Sequence, residues 1–174
     1  GRSVSLSGDG SRVAIGAPYN DDGGDSAGQV RLYDRSGIAW IQVGVDIDGD
    51  AAGNEFGSSV ALSGDGSRVA IGSKYNDEGG RYAGQVKLYD WNGTTWIQVG
   101  DEINGEAQSD YSGSSVSLSA DGSTVAVGAT GNDGEGETNS KRGHVRVYKL
   151  IGAHWTQVGP DIDGDAADDD MGFS

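Results

Sequence analysis

Short runs in this chain alternate apolar with small polar residues, and one such run comes three times. Ser3-Val4-Ser5-Leu6-Ser7 recurs as Ser59-Val60-Ala61-Leu62-Ser63 and as Ser115-Val116-Ser117-Leu118-Ser119, at intervals of 56 residues. A period of two is the mark of a half-buried strand. In the middle copy Asp65-Gly66 predicts a tight turn, because glycine takes a positive φ without strain. Arg68 to Gly72 is the returning strand. A polar, glycine-rich loop from Ser73 to Gly84 leads into a third strand, Gln85 to Trp91, where Val86, Leu88 and Asp90 alternate with Lys87 and Tyr89. Asn92-Gly93 is a second hairpin turn, and Thr95 to Val99 a fourth strand. No stretch carries the helical period with caps.

Trp40, Trp96 and Trp155 mark a second repeating position, and Tyr33, Tyr89 and Tyr148 a third. The boundaries fall at 1–56, 57–112 and 113–171, with 172–174 opening a further repeat. A repeated four-stranded meander is the signature of propeller blades. The expected fold is all-β: three four-stranded antiparallel blades of a β-propeller, with a three-repeat β-trefoil as the alternative. Ala14, Ala70 and Ala126 sit between Val and Ile residues, which predicts a face that lets the next blade approach. Tyr89 and Trp96 are expected to pack between blades. Three blades fall short of the usual four to eight. The chain is therefore expected to be a piece of a larger ring, half of a ring completed by a second copy, or part of an open array. Its ends, Gly1-Arg2-Ser3 and Gly172-Phe173-Ser174, fall at equivalent points of the repeat, so a longer parent protein is expected.

Charge narrows the partners. Asp and Glu outnumber Lys and Arg by 27 to 12, a net charge of −15. Such a surface repels phosphate backbones and anionic headgroups, so nucleic acid is excluded as a partner. No apolar run approaches the roughly 20 residues of a membrane span, so no membrane insertion is expected. With no cysteine, no disulfide framework can form.

Phe56-Gly57 opens the second copy, and Gly16-Ala17-Pro18 ends the second strand of the first. Together they are similar to the FG-GAP repeat of integrin α-subunit propellers and of tandem-repeat surface proteins of algae and microbes. The motif is uneven: copy two has Gly72-Ser73-Lys74, and copy three has Ser112-Gly113 and Gly128-Ala129-Thr130. The resemblance implies a propeller, an extracellular or cell-surface location, and a role in adhesion or matrix assembly. Integrin-type repeats also carry an Asp-rich calcium loop between the first two strands. Here that place holds Ser7-Gly8-Asp9-Gly10-Ser11 and its counterparts around Asp65 and Asp121. One carboxylate per hairpin is too few for calcium, so these are expected to be turns.

Other acids are better metal candidates. Asp46, Asp48 and Asp50 in the first copy and Asp161, Asp163 and Asp165 in the third stand at i, i+2 and i+4, a spacing that can converge on calcium. Glu102-Ile103-Asn104-Gly105-Glu106 is the weaker middle version. The competing reading is a connector anchored by Ile47, Ile103 and Ile162. Asn20-Asp21, Asn76-Asp77 and Asn132-Asp133 in the long loops either shape turns or contact a partner. The third loop, Ala129 to Gly143, is the longest and the expected place for copy-specific contacts. Asn92-Gly93-Thr94 is a glycosylation sequon on a predicted exposed hairpin. His144 and His154 replace Gln and Ala or Thr of the other copies and are expected to be incidental surface residues. Near-identical copies argue against a catalytic site. The function expected is an extracellular structural or adhesion module that contacts a protein or glycan and self-assembles with further blades or copies, as in a surface filament. The alternative is a lectin or a polysaccharide-degrading enzyme.

Overall fold

Each copy folds as its alternation predicts, into one antiparallel sheet. The computed structural model describes residues 1–134 and 141–174, so the centre of the long third loop lies outside the described residues. The first sheet holds β1 (Ser3–Leu6), β2 (Arg12–Ala17), β3 (Gln29–Ser36), β4 (Ala39–Gln42) and β5 (Ile47–Asp48). The second holds β6 (Ser59–Leu62), β7 (Arg68–Ser73), β8 (Gln85–Trp91), β9 (Trp96–Gln98) and β10 (Ile103–Asn104). The third holds β11 (Ser112–Leu118), β12 (Thr124–Ala129), β13 (His144–Ile151), β14 (His154–Gln157) and β15 (Ile162–Asp163). Within each sheet the strands run in chain order, and the short fifth strand pairs with the third. In the first sheet Tyr33 faces Gln42 of β4, while Val30 faces Ile47 of β5. The outer edge is thus one strand broken by a turn. Two residues of the Asp-Ile-Asp-Gly-Asp segment, expected to be connector loop, extend the sheet.

The core lies between the sheets. Ala14, Val30, Leu32, Ile47 and Phe56 of the first blade pack on Val60, Leu62, Val69, Ile71 and Trp96 of the second. The opposite face of the second blade, with Ala61, Ala70, Val86, Leu88 and Ile103, packs on Val125 and Val127 of the third. Strand alternation explains the division: Val69 and Ile71 point to one neighbour and Ala70 to the other. The first strands of adjacent blades, β1, β6 and β11, lie side by side, so they form the inner wall. Their hairpin tips join backbone to backbone, Gly8 N donating to Gly64 O and Gly64 N to Ala120 O, each at 2.8 Å. Three separate sheets stacked this way are propeller blades and exclude the trefoil.

Two glycines explain the motif. A Cβ on Gly16 would lie 2.1 Å from the carbonyl oxygen of Gly57, whose own φ is +83°. Gly72 meets Gly113 and Gly128 meets Gly172 in the same way. The glycine of Gly-Ala-Pro in one blade therefore touches the glycine of Phe-Gly in the next. A side chain at either would push the blades apart.

Candidate functional site

The hairpin between the first two strands is closed by its own side chains. Asp9 Oδ1 accepts from Ser7 Oγ at 2.8 Å and from Ser11 N at 2.9 Å, and Ser7 Oγ accepts from Arg12 N. Asp65 and Asp121 repeat this with their own serines. These bonds pull the Asp9 and Asp121 carboxyls down to about 2, the Ser11 N–H leading for Asp9 and the Ser119 hydroxyl for Asp121. With one carboxylate per hairpin, already bonded to hydroxyl and amide donors, the residues do not fit the calcium of integrin-type repeats.

Beside each hairpin sits an arginine clamp that the sequence reading missed. Arg12 holds Asp34 through two bonds of 2.6 and 2.8 Å, and its Nη1 donates to Gly66 O of the next blade at 2.9 Å. Its guanidinium lies over Trp91 and Trp96, also in the next blade. Arg68 does the same with Asp90, Gly122 O and Trp155. The indole N–H groups answer in the other direction: Trp96 donates to Val43 O at 3.2 Å and Trp155 to Val99 O at 2.9 Å. The clue was the recurrence of Arg12 and Arg68 opposite Asp34 and Asp90. The third copy has Thr124 instead.

The acids of the fifth strand are distributed among different partners. Asp46 pairs with Arg31 at 2.9 Å and accepts from Gln42. Asp48 accepts from Gln29 Nε2 at 2.7 Å. Asp50 reaches across to Lys87 of the next blade. In the third copy Asp161 takes two bonds from Arg146 and one from Gln157. Asp163 lies opposite His144 in the sheet, and the carbonyl of Asp165 accepts from Arg142. Among the described residues, the one set of acidic and His groups whose ligand atoms lie within 4.8 Å of one another is Glu106, His144 and Asp161. Arg146 pairs with both of its carboxylates, so a guanidinium already supplies the positive charge there. Burial opposes that charge, but the bonds to Asp161 and Glu106 outweigh it and push Arg146 upward.

His144 corrects an expectation. It is 4% exposed, not a surface residue, because it replaces the inward Gln29 and Gln85, each 2% exposed. Those glutamines are satisfied: Gln85 Nε2 donates to Asn104 and Glu78, both at 2.8 Å. Among the described residues His144 Nδ1 has no hydrogen-bond partner, and it lies 3.7 Å from Asp161. Burial, aided by Arg146, lowers its affinity for a proton. Burial also raises Asp110, which lines the adjoining groove of about 560 Å³ with Glu106, Asn132, Arg146 and Asp161. His154 is on the surface, 71% exposed at its side chain, beside Asp101.

The loop pairs shape their loops. Asn20, Asn76 and Asn132 each accept, through Oδ1, from the amide two residues on, at 2.8 to 2.9 Å. Asp21, Asp77 and Asp133 accept from the amides of Ser26, Tyr82 and Lys141, at 2.8, 2.8 and 3.1 Å. Those three residues all hold a positive φ, so the aspartate pins a costly backbone. Asn76 is buried, whereas Asp21 and Asp77 face solvent. Asn92 is exposed at the tip between β8 and β9, its Oδ1 accepting from Thr94 N and Thr95 N.

Only blade 2 places tyrosine at all three of the neighbouring positions, since the first copy matches it at Tyr19 alone. Tyr75 stands edge-on to Tyr82 and Tyr111, at 5.4 and 5.6 Å between centroids, and Tyr82 and Tyr111 stack at 6.4 Å. With Asn54 and Asp77 they line a groove of about 530 Å³. The signal was in the sequence: copies one and three have Ser26 and Lys141 for Tyr82, and Glu55 and Asp170 for Tyr111.

Like blades joined by like contacts define a propeller-repeat segment. Residues 44–89 match the family model of the FG-GAP repeat, the family that the Phe-Gly and Gly-Ala-Pro resemblance implies. The match starts before β5 and ends in β8, and so straddles the first interface. No curated protein matches the chain. Among solved structures, a Bacteroides uniformis ATCC 8492 protein provisionally named 6-phosphogluconolactonase aligns with a TM-score of 0.63 at 13% identity, over 95% of this chain and 41% of that one. At this identity the likeness speaks for the fold alone, and the chain spans less than half of that protein's length.

Proposed function

We propose that the chain is a structural or adhesion repeat module of a cell surface or extracellular matrix, which contacts a protein or glycan through its repeated loops. The observation that carries this reading is redundancy. Three blades present the same loop on the same internal bonds, while the residues at the rim differ from copy to copy. Weak contacts at several such loops add through effective concentration. The exposed carboxylates of Asp21 and Asp77 are the proposed contact groups, and the exposed Asn92 is the proposed glycan acceptor. This reading does not depend on calcium: in the first copy Asp46, Asp48 and Asp50 each meet a different protein group.

The tyrosine-lined groove of blade 2 favours a second reading, carbohydrate binding, because ring faces and edges beside Asn54 and Asp77 suit a sugar. The lactonase name of the structural neighbour adds turnover of a sugar-derived substrate as an outcome to test. The experiment presents the full chain to arrays of matrix proteins and glycans, with hydrolysis of polysaccharides and of a sugar lactone assayed in parallel. Saturable binding without turnover is expected. Asp21→Asn and Asp77→Asn keep the Oδ1 acceptor and so the loop. Each is expected to weaken binding several-fold, and the pair by more. Binding to sugars alone, lost in Tyr111→Ser, moves the assignment to the second reading. Turnover, or no binding at all, refutes the module.

A further inference from the structure

The third blade departs from the repeat at one buried position. Gln29 and Gln85 give their side-chain amides to two partners each: Asp48 and Asp22 in blade 1, Asn104 and Glu78 in blade 2. The third copy has His144 in place of the glutamine and Gly134 in place of the loop acid. The ring is 4% exposed, and its Nδ1 has no hydrogen-bond partner among the described residues. A buried polar atom left unpaired is costly, so this nitrogen points to a ligand. It lies 3.7 Å from Asp161 Oδ2. Glu106, from blade 2, completes a set whose ligand atoms all fall within 4.8 Å of one another. The adjoining groove is lined by the carboxylates of Glu106, Asp110, Asp133, Asp161 and Asp163, with Arg146 as the one cation among its described lining residues.

We propose that Glu106, His144 and Asp161 form a site for a divalent transition-metal ion of the zinc class, which ties blade 2 to blade 3. The donor set chooses the ion. An imidazole nitrogen with two carboxylates suits zinc, whereas calcium asks for six to eight oxygens. Zinc holds such ligands at about 2.0–2.2 Å, so His144 and Asp161 already stand at a separation that two zinc bonds can span. Glu106 closes the set from a side chain that is 52% exposed and has room to move. The groove gives water access to the fourth position. Arg146 does not take the place of the ion. It brings one positive charge to a groove with five carboxylates, and it leaves Nδ1 unpaired. An ionised carboxyl group offers about four lone-pair sites, so Asp161 can accept from Arg146 and Gln157 and still ligate. Those bonds fix its orientation, as the outer partners of metal-bound carboxylates do. The other two copies have no imidazole at this place, so one ion per chain is expected.

The test is calorimetric titration of zinc into the full chain, first stripped with a chelator, with cobalt absorption as a second readout. One equivalent of zinc should bind saturably and raise the unfolding temperature. His144→Gln restores the residue of the other copies, and Glu106→Gln removes the ligand from blade 2. Each is expected to weaken zinc binding about a hundredfold, the upper end of what losing an outer partner costs. Because Glu106 is half exposed, its variant decides the matter should His144→Gln fail to fold. His154→Gln, at an exposed histidine outside the set, should bind as wild type. Cobalt should show visible absorption that His144→Gln removes. No saturable zinc binding, binding that neither His144→Gln nor Glu106→Gln weakens, or equal competition by calcium overturns the proposal.

Discussion

The two interfaces within the chain share a plan and differ at the rim. Between blades 1 and 2, and again between blades 2 and 3, glycine meets glycine, an indole N–H meets a carbonyl, and an arginine caps the next hairpin. The outer polar groups diverge. At the first interface Lys87 meets one acid and Gln85 is fully bonded. At the second, Arg146 holds two acids beside a buried His144 whose Nδ1 is unpartnered among the described residues. The inner contacts are backbone geometry and cannot vary without separating the blades. The rim borders solvent and tolerates exchange, which is where copy-specific binding can arise.

The comparison is broken most directly at the tryptophans. Trp96→Ala and Trp155→Ala should each cost about 3–5 kcal/mol if the plan is shared, measured by denaturant unfolding. A large cost at one and none at the other would mean that the interfaces are not equivalent. Gly72→Ala comes next, at about 1–3 kcal/mol, because its Cβ would meet Gly113 O at 2.2 Å in a contact between two backbones. Arg68→Ala should cost about 1–2 kcal/mol, since Asp90 is 39% exposed and solvent screens the pair. Thr124→Ala, at the same place in the third copy, should cost little.

The smallest effects lie in pH. The His144 affinity for protons is depressed by burial and by Arg146. The unfolded chain therefore binds the proton first, so stability falls as pH drops below the ordinary histidine value near 6.5. His144→Gln, the residue of the other copies, should flatten the slope between pH 7 and 5. The hairpin aspartates act lower. With Asp9 and Asp121 near 2 when folded, their contribution is present above the ordinary aspartate range and drains away as pH falls toward 2. Asp121→Asn should reduce that acid-side loss.

The strands and their turns were legible because alternation, Asp-Gly and Asn-Gly are local signals. Blade number was legible because the copies are alike. The continuation of the sheet by Ile47 and Asp48 was not, since two residues carry no period. The arginine clamp depends on the next blade's tryptophan and carbonyl, which only the tertiary arrangement brings to Arg12. His144 was misread as surface because its position was judged by side-chain type; its register, shared with the inward Gln29 and Gln85, would have shown it buried. The acids of the fifth strand read as convergent on spacing alone, yet strand geometry sends Asp46, Asp48 and Asp50 to three different partners.

The central claim is that each blade is held by its neighbours, not by a core of its own. Amide hydrogen exchange on dilute chain tests it most directly. Blade 2 is covered on both faces, so β6, β7 and β8 should exchange slowest, while β1, β4 and β14 should exchange faster. Equal protection in all three blades, or slowest exchange in an end blade, would contradict it.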